Sequence, residues 1–391
     1  MKTKIITLAV FLATAGAVGM YPVYNNAVNA KPVAPIDAAL EQTGPRIQLA
    51  ILLDTSSSMD GLIDQARNQL WEVVNTFARS KKNGKAPKLE VAVYEYGNSR
   101  LSNESGYIRQ VSALTGELDQ VSEALFALTT SGGDEYCGYV IKTAVQDLKW
   151  SDSADDIKAI FIAGNEPFTQ GPIPFQHAIA RAKQKGITVN TIHAGDHRTG
   201  AQSGWRDGAV LAGGDYMNID HNYKVVHIEA PQDKRLAELN QQLNQTYIPY
   251  GAKGKEKKAR QIMQDQKSNE ISASLMAKRA TSKASSLYNN SSWDLIDALE
   301  NKAVKLEKIE EEALPQEMRK MEATQRKEFV QQKAKQRHQI KEEIGRLSKQ
   351  RDAYVAKKKS EAATPAVKTM DSALTQAVIK QGKQKNYQFT N

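Results

Sequence analysis

The stretch Arg46 to Met59, R-I-Q-L-A-I-L-L-D-T-S-S-S-M, decides the fold. Ile47, Leu49, Ala50, Ile51, Leu52 and Leu53 make a short apolar run that stops at a carboxylate and a row of hydroxyls. Such a run reads as a strand buried on both faces, as in a parallel sheet covered by helices. The polar cluster then lies at the carboxyl end of a buried strand, where open α/β sheets bind ligands. Asp54, Ser56 and Ser58 alternate, so a turning loop can aim all three at one point. They offer oxygen only, which suits a hard cation such as Mg²⁺, with Mn²⁺ or Ca²⁺ as alternatives. The plain alternative is that they cap the helix that follows.

Outward from this stretch the chain alternates. A helix is expected over 60–81, where Leu62, Ile63, Ala66, Leu70, Val73, Val74 and Phe77 recur at three and four residues. Strands are expected over 89–96, 157–163 and 187–193, with an edge strand at 107–111 and short strand-like runs at 216–220 and 225–229. Helices are expected over 116–128, 136–150, 173–185, 205–212 and 233–245. Strands alternating with helices predict an α/β fold with a mostly parallel sheet covered on both faces. Two further polar loops follow strands or open helices. The first is Thr129 to Glu135 with Gly132-Gly133-Asp134-Glu135; the second is Gly164-Asn165-Glu166-Pro167.

These three loops in this order resemble the von Willebrand factor type A (VWA) domain. The resemblance covers about residues 46–245. It implies a Rossmann-like sheet with a metal-ion-dependent adhesion site (MIDAS) on its upper rim, where two serines bind the ion and the first aspartate acts through water. The family's second loop supplies a threonine and its third an aspartate. Here Asp134, with Glu135 beside it, stands after Gly-Gly, and Gly164 stands at the aspartate position with Asn165 and Glu166 adjacent. The expected metal residues are therefore Asp54, Ser56, Ser58 and Asp134, with Glu135, Asn165 and Glu166 as further contacts. The opposing expectation is a site that keeps the fold and holds no ion. The stretches around Phe161 to Phe168 and Gly204 to Tyr216 resemble exported bacterial VWA proteins.

Composition narrows the class. The chain has 391 residues and a single cysteine, Cys137, which excludes an intramolecular disulfide and a thiolate zinc cluster. H-E-x-x-H, G-x-S-x-G, P-loop and G-x-G-x-x-G motifs are absent, and no acid/base constellation points to an enzyme. Lys2 and Lys4, the apolar run from Ile5 to Met20 and Val28-Asn29-Ala30 read as a secretory signal over 1–30, or as a retained anchor. The expected location is periplasmic or extracellular. A linker is expected over 31–45 and the VWA domain over 46–250.

Charge is uneven: 23 Lys+Arg face 26 Asp+Glu up to Tyr250, and 30 face 18 beyond it. A basic second half suits an anionic envelope surface or simply solvated helices, and export makes nucleic acid the least expected partner. The second half reads as a Lys/Ser/Ala-rich helical linker over 251–292, a helical or coiled-coil region over 293–358 and a flexible tail over 359–391 with a helix near 372–380. Trp293, Ile296, Leu299, Ala303, Leu306, Ile309 and Ala313 predict one helix, and a second is expected over 316–358 after Pro315. The functional expectation is a non-enzymatic adhesion-type protein that binds an exposed Asp or Glu of a protein partner through the ion, with self-association through the C-terminal helices. The alternative is an envelope scaffold with an empty metal site.

Overall fold

The structure, a computed structural model, describes residues 44–57, 59–220, 227–361 and 370–389. The expected signal, most of the first linker, Ser58, the start of the 225–229 run and parts of the tail lie outside these residues.

Strand β1 (Arg46–Asp54) is buried over nearly its whole length, because helices cover both of its faces. It pairs in parallel with β3 (Lys88–Tyr96) and β5 (Ile157–Gly164). With β4 (Ile108–Thr115), β6 (Thr188–Ala194) and β7 (Tyr216–Ile219), the sheet order is β4-β3-β1-β5-β6-β7. Only β4 runs antiparallel, at the edge beside β3. This is the mostly parallel, helix-covered sheet that the alternation predicts.

The two-residue period of the strand divides the core. Ile47, Leu49, Ile51 and Leu53 face one apolar cluster, and Ala50 and Leu52 face the other. The second cluster is closed by α3 (Cys137–Asp147), α4 (Phe175–Gln184) and α6 (Trp205–Ala212), with α5 (His197–Gln202) before α6. The first is covered by α1 (Asp60–Ala78), α2 (Leu118–Phe126) and α7 (Asp233–Asn244). Each fully buried Leu, Ile or Val contributes roughly 1.5–3 kcal/mol.

The C-terminal half does not stand apart from this sandwich. The 251–292 stretch, expected as a helical linker, forms α8 (Gly254–Ile271) and α9 (Ala273–Ala284). Leu275, Ala277, Tyr288, Ile340, Ile344, Leu374 and Tyr387 belong to the same apolar cluster as β1 and α1. The stripe from Trp293 to Ala313 is a correction to the expected helix. Only α10 (Leu295–Glu300) is α-helical there; the chain then reverses at Lys302, which has φ 57°, and continues through short 3₁₀ turns. Much of the stripe is used all the same: Ile296, Leu299, Ala303, Leu306 and Ile309 join a third cluster with Ile248 and Tyr250.

The expected 316–358 helix is broken into α11 (Gln316–Arg319) and the long α12 (Ala323–Glu361). Val330, Arg337, Ile340, Ile344, Ser348 and Arg351 form the buried stripe of α12, and it packs on α7 and α9 of its own chain. In the expected tail, α13 (Met370–Gln384) lies along α1, and β8 (Gln388–Phe389) pairs antiparallel with β2 (Ser80–Lys81).

Charged residues fill the seam between the two halves. Arg279 of α9 is fully buried, 2.8 Å from Asp119 of α2 and 2.7 Å from Asp265 of α8, and it stacks 4.6 Å from the Trp71 ring of α1. Lys283 adds a contact of 2.9 Å to Asp265, which also accepts from Asn240 and Asn244. Arg337 binds Asp294 at 2.6 Å and Asp297 at 2.8 Å, and Arg351 binds Asp233 at 2.6 Å. Buried ion pairs stabilise little in net terms, but loss of one partner is costly. They fix how the helices seat on the domain. Among the described residues no helix is long and apolar enough to cross a membrane.

Candidate metal centre

The site forms where β1 and β5 end side by side at the rim of the sheet. The Ser56 N–H donates to Asp54 Oδ1 at 2.7 Å, and Met59 N–H closes the turn onto the Ser56 carbonyl at 3.1 Å. The first loop is thus a tight turn built on Asp54, which exposes Ser57 but buries Asp54, Thr55 and Ser56. Thr55 points the other way. Its hydroxyl donates to Glu95 Oε2 at 3.2 Å, while Arg109 neutralises Glu95 from the edge strand. The Thr55 backbone joins two neighbouring loops, with its N–H on the Tyr96 carbonyl at 2.9 Å and its carbonyl on the Ser131 N–H at 3.0 Å. The loop is held by backbone on two sides before any ion is considered.

Three buried oxygen-bearing groups converge here: Asp54, Ser56 and Glu135. Asp54 Oδ2 and Ser56 Oγ are buried and have no hydrogen-bond partner of regular geometry. The Glu135 carboxyl lies within electrostatic reach of both. Its backbone N–H is fixed by Gln170 Oε1 at 3.3 Å, which holds the second loop against the sheet. Burial raises the Asp54 carboxyl, opposed by Glu135, Ser56 and the Asn165 N–H. Burial, followed by the hydrogen bond and charge of Asp54, pushes Glu135 up to about 10. Two carboxylates this close, with no positive charge between them, cannot both ionise.

Two glycines make the space. At Gly97, where φ is +79°, an added Cβ would lie 2.7 Å from Glu135 Cγ and 3.0 Å from Asp54 Oδ1. At Gly164 it would lie 2.4 Å from the Tyr96 hydroxyl and 3.2 Å from Asp54 Oδ2. Tyr96 is fixed in turn by donating to the Ala163 carbonyl at 3.0 Å. A third-loop aspartate at position 164 has no room while Tyr96 stands there.

Asp54, Ser56 and Glu135 therefore come together, while Ser58 lies outside the described residues. Asp134, expected as the second-loop metal residue, is exposed and accepts from the Tyr136 hydroxyl at 3.2 Å. It is its neighbour Glu135 that turns inward. Asn165 and Glu166 flank the site. The Asn165 carbonyl lies 3.2 Å from His193 Nε2, the Glu166 carbonyl accepts from Trp205 Nε1 at 2.8 Å, and the Glu166 carboxylate faces solvent. Tyr96, His193 and Trp205 were not singled out from the sequence as site residues. Tyr96 and His193 stand on strands and Trp205 opens α6, and each is a large side chain that backs a loop, a role with no spacing signature.

The donor set fits a divalent ion. All donors are oxygen, all are buried, and two are carboxyl groups. Among the described residues no group of three or more His, Cys, Asp or Glu side chains could hold a metal by itself, so the serine oxygens are integral to any such site.

The order of strands and the placement of these loops define a VWA-type domain. Residues 48–202 match the model of the von Willebrand factor type A domain, and this stretch of the chain is a VWA domain. No curated protein matches the chain. Among solved structures, the VWA domain of SpRpn10 is 16% identical with a TM-score of 0.33, over 45% of this chain and 89% of that one. An aerotolerance-related membrane protein from Bacteroides fragilis is 14% identical, TM-score 0.32, over 44% and 92%. Proximal thread matrix protein 1 from the mussel byssus, with zinc in its MIDAS motif, is 12% identical, TM-score 0.35, and the chain covers 43% of its length.

Proposed function

We propose that this is a non-enzymatic, exported binding protein whose VWA domain recognises an acidic group of a protein partner through a divalent ion. The observation that carries the reading is the convergence of buried Asp54, Ser56 and Glu135 oxygens at the carboxyl end of β1, met chiefly by one another. Two carboxyl groups buried against each other need a proton or a cation between them, and a hard cation would satisfy all three groups at once. Asp54, Ser56 and Glu135 are the described residues that would hold it. Mg²⁺ is the first choice, with Mn²⁺ and Ca²⁺ compatible with the same donors. The ion supplies an open coordination position for a partner's Asp or Glu. The C-terminal helices, packed along α1 and on α7, offer a second surface. Lys327, Lys335, Arg346 and Lys349 of α12 are exposed, which favours an anionic envelope surface or a self-contact there.

Thermal unfolding of the full chain with and without millimolar Mg²⁺ tests the ion. The expected result is a stabilisation that Asp54→Ala removes. The absence of any shift with Mg²⁺, Mn²⁺ or Ca²⁺ favours the scaffold reading, in which the helices alone carry binding.

A further inference from the structure

The acid missing from the third loop is not missing from the site. Gly164 leaves the third-loop position bare, and the Tyr96 hydroxyl occupies the direction a side chain there would take. From the opposite side, Glu135 is almost fully buried beside Asp54 and Ser56. Gly97 is the residue that lets it in, since any side chain there would strike both Glu135 Cγ and Asp54 Oδ1. Among the described residues no ion pair joins Asp54 or Glu135 to a Lys or Arg. The nearest strongly basic side chain in the network, Arg109, is engaged with Glu95 on the far side of Thr55. A carboxylate buried so deeply without a basic partner requires a cation or a proton. The Ser56 hydroxyl buried beside the same pair of carboxyl groups, a third oxygen at the carboxyl end of β1, points to the cation.

We propose that Glu135 is a resident ligand of the divalent ion, one that both tightens ion binding and occupies the position an acidic partner would take. This rests on the ion-binding reading above. Two carboxylates bring a divalent ion close to neutrality, so the charge that would draw a partner's acid is already spent. A partner carboxylate must displace Glu135 or settle for a weakened bond. Glu135 is thus an internal competitor that sets a high threshold for partner binding, and its removal has effects of opposite sign on ion and partner. Simple structural support would not produce that pairing of signs.

The test uses the full chain loaded with Mn²⁺, read by water-proton relaxation, with acetate as the carboxylate probe. Asp54→Ala serves as the control for the site, and Glu135→Gln keeps the side-chain volume should Glu135→Ala fold poorly. Expected are a loss of about tenfold or more in Mn²⁺ affinity on removing the Glu135 charge, about one more water on the bound ion in Glu135→Ala, and displacement of that water by acetate at concentrations that leave the wild type unchanged. If Mn²⁺ binds the wild type and is lost in Asp54→Ala, yet both Glu135 variants match the wild type in affinity and acetate response, the ion reading stands and the role of Glu135 is overturned. If Mn²⁺ does not bind the wild type, the ion reading falls and takes this inference with it.

Discussion

Replacing Arg279 with alanine probes whether the two halves of the chain form one folding unit. Its guanidinium is fully buried, lies 2.8 Å from Asp119 and 2.7 Å from Asp265, and covers Trp71 at 4.6 Å. Asp119 belongs to α2 of the VWA domain, whereas Asp265 belongs to α8 of the C-terminal half. Removing one partner of a buried pair costs about 3–5 kcal/mol, because the remaining charge stays buried. Here Asp265 keeps Lys283, Asn240 and Asn244, but Asp119 keeps only the Tyr288 hydroxyl among its close polar partners in this cluster. The loss therefore falls mainly on Asp119, and the lower half of the range, about 3 kcal/mol, is expected. Loss of the cation–π contact with Trp71 adds about 1 kcal/mol. Urea unfolding followed by circular dichroism, with peptide-resolved hydrogen exchange on β5 and α9, measures it. The expected result is one transition moved to lower urea, with protection falling together in both segments. A change below about 1 kcal/mol, or a loss confined to α9, would refute the view that the helices complete the core of the domain.

Other outcomes follow from the same packing. Burial raises the Asp265 carboxyl, but Lys283, Arg279 and Asn244 outweigh it and hold it at about 2, against an ordinary value of 3.8. A depressed folded value means stability that is present above 3.8 and lost as pH falls toward 2. Its contribution is about 2 kcal/mol, and Asp265→Asn should flatten the acid limb of the stability–pH curve measured by urea titration. Ile344→Ala, on the buried stripe of α12, should cost about 2–5 kcal/mol by leaving a cavity against α7 and α9. An unchanged urea midpoint would mean that α12 is not seated there. Gly164→Ala should displace Tyr96 or the third loop, since its Cβ would lie 2.4 Å from the Tyr96 hydroxyl, and should weaken Mn²⁺ binding in calorimetry more than it lowers stability.

The sheet was legible because its signal is local. The run from Ile47 to Leu53 and its sudden end at Asp54 report burial on two faces and a loop at the carboxyl end of a strand, with no need of distant partners. Gly164 was also legible as a departure from the VWA pattern. Which of Asp134 and Glu135 turns inward was not, because neighbouring acids differ only in the direction the loop gives them. That direction depends on Gly97 and Gln170, which are remote in sequence. The seating of the C-terminal helices was hidden for a related reason. α8 has few large apolar residues and binds through Gln261, Gln264, Asp265 and Ser268, which are buried polar side chains that read as solvated in a sequence. The stripe from Trp293 to Ala313 has helical spacing yet is helical only over Leu295–Glu300, and beyond the reversal at Lys302 Leu306 and Ile309 still pack into the cluster of Ile248 and Tyr250. Spacing reports which residues are buried more dependably than it reports the backbone that buries them.

The most direct test of the account is a crystal of the full chain grown with Mn²⁺ and measured for anomalous scattering. A peak is expected among Asp54, Ser56 and Glu135 at the end of β1, with Asp134 still facing solvent. A fully occupied Mn²⁺ elsewhere with none at this position, or a peak bound through Asp134 with Glu135 turned away, would contradict it.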